Sequence, residues 1–152
     1  MKVLEFLDKS TICLELKSST KKDAINELCN VLHANQKIRD LQAVIDAMME
    51  REKLGSTGIG QGVAIPHGKT DATSNLVGAL GISRKGIEFE SLDGEPVHVI
   101  FMLVAPNDSS GNHLKALARV SRLLKDKFFR QAIKEAKQIE EIEKIIREED
   151  EY

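Results

Sequence analysis

Histidine, glycine and hydroxyl side chains crowd into one stretch, GSTGIGQGVAIPHGKT, at residues 55–70. Five of the ten glycines lie between Gly55 and Gly68, and Pro66-His67-Gly68 closes the stretch. Glycine weakens regular elements, so this density marks backbone that must turn sharply or come close to something. The familiar phosphate-binding spacings fail when counted. A P-loop requires G-x-x-x-x-G-K-[ST], and ahead of Gly68-Lys69-Thr70 the place of the first glycine is held by Val63. The dinucleotide pattern G-x-G-x-x-G fails too, because Gly60 and Gly62 are followed at the third place by Ile65. The four histidines, at 33, 67, 98 and 113, show no H-E-x-x-H or i, i+4 spacing that would hold a metal. No G-x-S-x-G serine elbow is present.

What remains is His67 as a nucleophile in its own right. A neutral imidazole can attack phosphorus through one nitrogen while the other is held by a hydrogen bond. Such chemistry asks for donors to three phosphoryl oxygens more than for a base, a metal or a cofactor. Bare backbone at Gly58 and Gly60 offers N–H groups, Ser56 and Thr57 offer hydroxyls, and Arg51 offers positive charge. The plain alternative is a loop, a helix-end arginine and an exposed histidine with no shared role. Spacing alone leaves the two open.

The elements that must position these residues are legible from caps and periodicity. STKKDAINELCNVLHAN predicts a helix capped by Thr20 with Asp23 at its third position, and Ala24, Leu28, Val31 and Leu32 on its apolar face. Asp40 caps LQAVIDAMMEREKLG, whose Leu41, Val44, Ile45, Met48 and Met49 fall on one face. Gly55 stands where a left-handed cap would end that helix, which delivers Arg51 and Lys53 to the mouth of the glycine-rich stretch. GVAIPH predicts a short strand that Pro66 keeps from running deep into a sheet, and LVGALGIS a second strand. An Asp93-Gly94 turn precedes Val97–Val104, apolar enough for a central strand covered on both faces. NHLKALARVSRLLKD is an amphipathic helix opened by Ser110 or Asn112, and the tail adds one or two helical segments ending in a solvated REEDEY. Together these predict an α/β sandwich around a central mixed β-sheet with helices on both faces, in a single domain over residues 1–152. His33, near a helix end, and His98, in the central strand, read as structural.

Composition narrows the function classes. A net charge of −2 supplies no basic excess for nucleic acid. No apolar run approaches membrane length and the N-terminus lacks a signal-peptide pattern, so a cytoplasmic protein is expected. Cys13 and Cys29, without a C-x-x-C pair, read as small buried hydrophobes in a reducing compartment.

REKLGSTGIGQGVAIPHGK, from Arg51 to Lys69, closely resembles the active-site signature of fructose–mannitol-type enzyme IIA domains. These belong to the bacterial phosphoenolpyruvate-dependent phosphotransferase system and include its nitrogen-regulatory branch. GIEFESLDGEPVHVIFMLVAP and NHLKALARVSRLL are similar to the later strand and helix of the same family, so the resemblance covers nearly the whole chain. It implies that His67 accepts a phosphoryl group from phospho-HPr, on Nε2, and passes it to an enzyme IIB domain. It implies that Arg51 lies near that histidine, and that His113 is a second histidine beside it, a hydrogen-bonding partner and not an acceptor. Ser56, Thr57, Gly58 and Gly60 would complete the phosphoryl surroundings. A helix-opening His113 also fits on physical grounds, because the positive end of the dipole favours a neutral ring. The alternative within the resemblance is a nitrogen-regulatory protein, in which the phosphorylation state of His67 controls binding to regulatory partners.

Overall fold

The apolar run at the centre of the chain is also the centre of the fold. A computed structural model describes residues 1–151. Strand β6 (Val97–Ala105) lies in the middle of a six-stranded mixed sheet that also holds β1 (Leu7–Cys13), β2 (Gly58–Gly60), β3 (Val63–Ala64), β4 (His67–Lys69) and β5 (Val77–Ile87). The order is β1-β5-β6-β3-β2, with β4 also on β6. β5 runs antiparallel to β6, whereas β1 is parallel to β5 and both β3 and β4 are parallel to β6.

Side chains of β6 alternate between two layers. Ile100, Met102 and Val104 pack with Ala24, Ile25, Leu28 and Leu32 of helix α1 (Lys21–Ala34) and with Val44 and Met48 of α2 (Leu41–Lys53). Val99, Phe101 and Leu103 face α3 (Ser110–Lys125), α4 (Lys127–Glu135) and α5 (Ile139–Glu149). Each side chain of this size contributes about 1.5–3 kcal/mol when fully buried, which is why a strand apolar on both faces sits centrally. The predicted sandwich with helices on both faces is the architecture found.

The helix starts follow the expected caps. The Thr20 hydroxyl accepts from Asp23 N–H, and an Asp40 carboxylate oxygen accepts from Ala43 N–H at 3.1 Å. Helix α3 departs from expectation by a residue, with Ser109 as its N-cap and Ser110 already helical. α2 closes with Leu54 as cap, and Gly55 follows at φ +152°, outside the left-handed helical well expected of it. Strand β1 is the element that periodicity misses. A register shift between Leu7 and Ile12 breaks the period of two, and Asp8, Lys9 and Ser10 are exposed. Cys29 is buried against Met102, its thiol pushed up to about 12 by burial, while Cys13 is half-buried. Among the described residues no helix is long and apolar enough to cross a membrane.

Candidate active site

Pro66 divides what would have been one strand into two. β3 pairs with Val99 and Ile100, β4 with Leu103 to Ala105, and between them the Pro66 carbonyl accepts from Leu103 N–H at 2.9 Å. Proline is tolerated because it has to give only a carbonyl at this point. The interruption folds the His67 ring back over its own chain, so that Nδ1 lies 2.8 Å from the Ile65 carbonyl oxygen. A carbonyl only accepts, so Nδ1 carries the proton. In the neutral ring the lone pair therefore stands on Nε2, and the residue is half-buried.

Against that ring lies His113, in the first turn of α3, with ring centroids 5.5 Å apart and planes at 64°. His113 is 6% exposed, and its Nε2 is buried without a hydrogen-bond partner. Burial, then the proximity of the protonatable His67 ring and of the Lys69 ammonium, hold its pKa below the ordinary imidazole value, so the ring is neutral at physiological pH. A buried unpaired nitrogen is costly and uncommon, and here it stands beside the candidate nucleophile. Lys69 has no role in the expectations drawn from the sequence, although it stands in the quoted motif. Its signal was the period of two, which sets residues 67 and 69 on the same side of β4.

Gly68 lets this strand approach α2. A Cβ there would stand 3.0 Å from Met48 Cε and 3.4 Å from the Ala47 carbonyl oxygen. Arg51 lies one turn beyond Ala47, so helical spacing puts it on the face that β4 packs against. Its guanidinium donates to the Gly55 carbonyl oxygen at 2.9 Å, tying the helix end to the loop.

The donors expected between residues 56 and 60 have other partners. Ser56 Oγ donates to the Phe89 carbonyl oxygen at 3.0 Å and accepts from Gly58 N–H at 3.0 Å. Thr57 is buried, and both its N–H and its hydroxyl donate to the Glu52 carboxylate. Gly60 pairs with Val63 across a two-residue turn, where Gln61 and Gly62 take φ of +59° and +79°. A tight hairpin of this kind requires positive φ at both central residues, so the turn itself accounts for Gly62. His98 is anchored by Nδ1 at 2.9 Å from the Ser83 carbonyl oxygen, and His33 is exposed in the last turn of α1, consistent with structural roles.

A histidine whose Nδ1 meets a backbone carbonyl lies against a buried neutral histidine on a mixed α/β sandwich, and that pairing on that fold defines the class of protein. Residues 5–149 match the family described as phosphoenolpyruvate-dependent sugar phosphotransferase system, EIIA 2, and the chain belongs to that family. It is 42% identical over 150 residues, 99% of its length, to the fructose-specific EIIABC component of Bacillus subtilis, of which it spans 24%. It is 40% identical to a nitrogen regulatory protein of Bradyrhizobium diazoefficiens over 83% of this chain and 82% of that one. The crystal structure of nitrogen regulatory protein IIA-Ntr from Neisseria meningitidis superposes with a TM-score of 0.87 at 34% identity, covering 93% of this chain and 97% of that one. A complex of enzyme IIA mannitol with phosphorylated enzyme IIB mannitol from Escherichia coli shares the fold, with a TM-score of 0.78 at 21% identity over 91% and 95% of the two chains. The chain is thus an EIIA type-2 domain, of either the sugar-specific or the nitrogen-regulatory kind, with a phosphotransfer role.

Proposed function

We propose that this domain is a phosphocarrier in which His67 takes a phosphoryl group from a phospho-HPr-type donor and passes it to an enzyme IIB domain of the fructose–mannitol type. The observation that carries this reading is the Nδ1 bond to the Ile65 carbonyl, which leaves the His67 lone pair on Nε2. That lone pair attacks phosphorus, the N–P bond of the donor phosphohistidine breaks, and its electron pair stays on the donor imidazole. In the onward step the pair returns to His67 Nε2 as the acceptor bonds phosphorus. The Nδ1–H bond persists throughout, so no proton moves on this residue.

The unpaired Nε2 of His113, as N–H, donates to a phosphoryl oxygen, satisfying an atom that otherwise has no partner. Lys69 and Arg51 supply positive charge at the edges, Arg51 from the end of α2. Ser56, Thr57, Gly58 and Gly60 support the loop and leave the phosphoryl contacts to these side chains. The reaction belongs in the cytoplasm, where phosphoenolpyruvate is available.

Incubation with phosphoenolpyruvate, enzyme I and HPr is expected to add one acid-labile, alkali-stable phosphoryl group that maps to His67. An unmodified protein beside a competent HPr would overturn the reading. The second reading is a nitrogen-regulatory protein, favoured by 40% identity along most of such a protein's length. Labelled phosphoryl transfer to a co-encoded IIB domain supports transport, and failure with every such domain supports regulation.

A further inference from the structure

The phosphocarrier reading leaves unexplained a buried ionic group on the far side of the glycine-rich loop. Lys21 and Glu52 are both nearly inaccessible, at 9% and 6% exposure, and their Nζ and Oε1 lie 3.1 Å apart. A buried pair of this kind is seldom a net gain in stability over apolar residues, so its retention calls for another account. The Lys21 ammonium also stands 5.1 Å from the centroid of the Phe89 ring and 3.6 Å from Glu90. It is thus fixed from three sides and holds the carboxylate in one orientation.

Glu52 in turn accepts from Thr57 N–H at 3.1 Å on one oxygen and from the Thr57 hydroxyl on the other. The Thr57 carbonyl accepts from Ile65 N–H at 3.1 Å. The Ile65 carbonyl is the acceptor for His67 Nδ1 at 2.8 Å. An unbroken line of contacts therefore runs from a buried ion pair to the ring whose lone pair must stand on Nε2. Pro66 follows Ile65 and restricts its backbone as well.

We infer that Glu52, held by Lys21, is a positioning residue that acts through Thr57 and Ile65 to keep the His67 proton on Nδ1. When the carbonyl drifts, the imidazole is free to carry its proton on Nε2, and in that form it has no lone pair facing the donor. The inference rests on His67 being the acceptor, but its first readout does not depend on transfer.

The test pairs Thr57→Val with Thr57→Ser, and adds Lys21→Met together with Glu52→Leu so that no charge is left buried alone. In each protein, ¹⁵N shifts of the His67 ring nitrogens, at a pH where the ring is neutral, report which nitrogen is protonated. Single-turnover transfer from phospho-HPr reports the rate. Thr57→Val and the Lys21→Met, Glu52→Leu double variant are expected to gain the Nε2–H form and to lose roughly tenfold in transfer rate, with folding intact. Thr57→Ser is expected to restore both. Wild-type ring shifts and rate in folded Thr57→Val and in the double variant would overturn the inference. Should wild type itself take no phosphoryl group while the variants still change the tautomer, the positioning line stands and the phosphocarrier reading falls.

Discussion

Replacing His113 by phenylalanine separates a catalytic partner from a packing residue, because the two roles predict opposite signs. In the unphosphorylated protein the buried Nε2 of His113 has no hydrogen-bond partner, and an unsatisfied group of this kind costs about 1–3 kcal/mol. Phenylalanine keeps a ring of similar volume against His67, 5.5 Å between centroids, and removes the unpaired nitrogen. After allowing for its slightly larger ring, the unfolding free energy of His113→Phe is expected to match or exceed wild type by about 1 kcal/mol. Transfer behaves in the opposite way. A hydrogen bond from a neutral donor to a charged phosphoryl oxygen is worth about 1.5–3 kcal/mol, which corresponds to a rate loss of roughly 10- to 150-fold. Urea unfolding gives the first quantity, and quenched single-turnover transfer from phospho-HPr, read by intact mass, gives the second. A protein destabilised by more than about 2 kcal/mol that still accepts phosphoryl groups at the wild-type rate would refute the reasoning and make His113 a structural residue.

His67→Ala is expected to abolish phosphorylation while leaving the fold intact, since the ring is only half-buried; a folded and phosphorylated alanine variant seen by intact mass would displace His67 as acceptor. Stability should depend on pH through His113, whose folded pKa lies below the unfolded value of about 6.5. The unfolded chain then binds more protons between those two values, so stability is fully present above about pH 6.5, falls as pH drops toward the lowered folded value and levels below it. Urea midpoints across that range should show this slope in wild type and lose it in His113→Phe. Phosphorylation of His67 places an anion beside His113 and should move its NMR titration upward, and an unmoved titration would place the phosphoryl group elsewhere. Gly62→Ala should cost about 1–2 kcal/mol in urea unfolding, because φ is +79° and the nearest atoms to the added Cβ are at an unstrained 3.8 Å. Gly62→Asn should cost less, and equal losses would show that packing rather than backbone sets the requirement.

Much of the scaffold around His67 was legible because it depends on neighbours along the chain. Thr20 and Asp40 cap the helices that their spacing implies, and a strand apolar on both faces had to be central. Strand β1 was hidden because an irregular register removes the one signal a strand has, alternation. The glycine-rich stretch is more instructive. Gly58 and Gly60 carry the expectation of phosphoryl donors, whereas Gly62 serves a hairpin turn and Gly68 makes room for α2. The pattern Gly60-Gln61-Gly62-Val63, between Ile59 and Ile65, already carried the two-residue turn that accounts for part of the glycine density. Glu52 was passed over for the opposite reason. A charged residue in the last turn of a helix is ordinarily solvated, and only the fold brings Lys21, far back in the chain, within 3.1 Å of it. His67 was therefore visible as a residue type in a motif, whereas the contacts that link its ring to a carbonyl, a threonine and a buried ion pair join residues that no spacing rule connects.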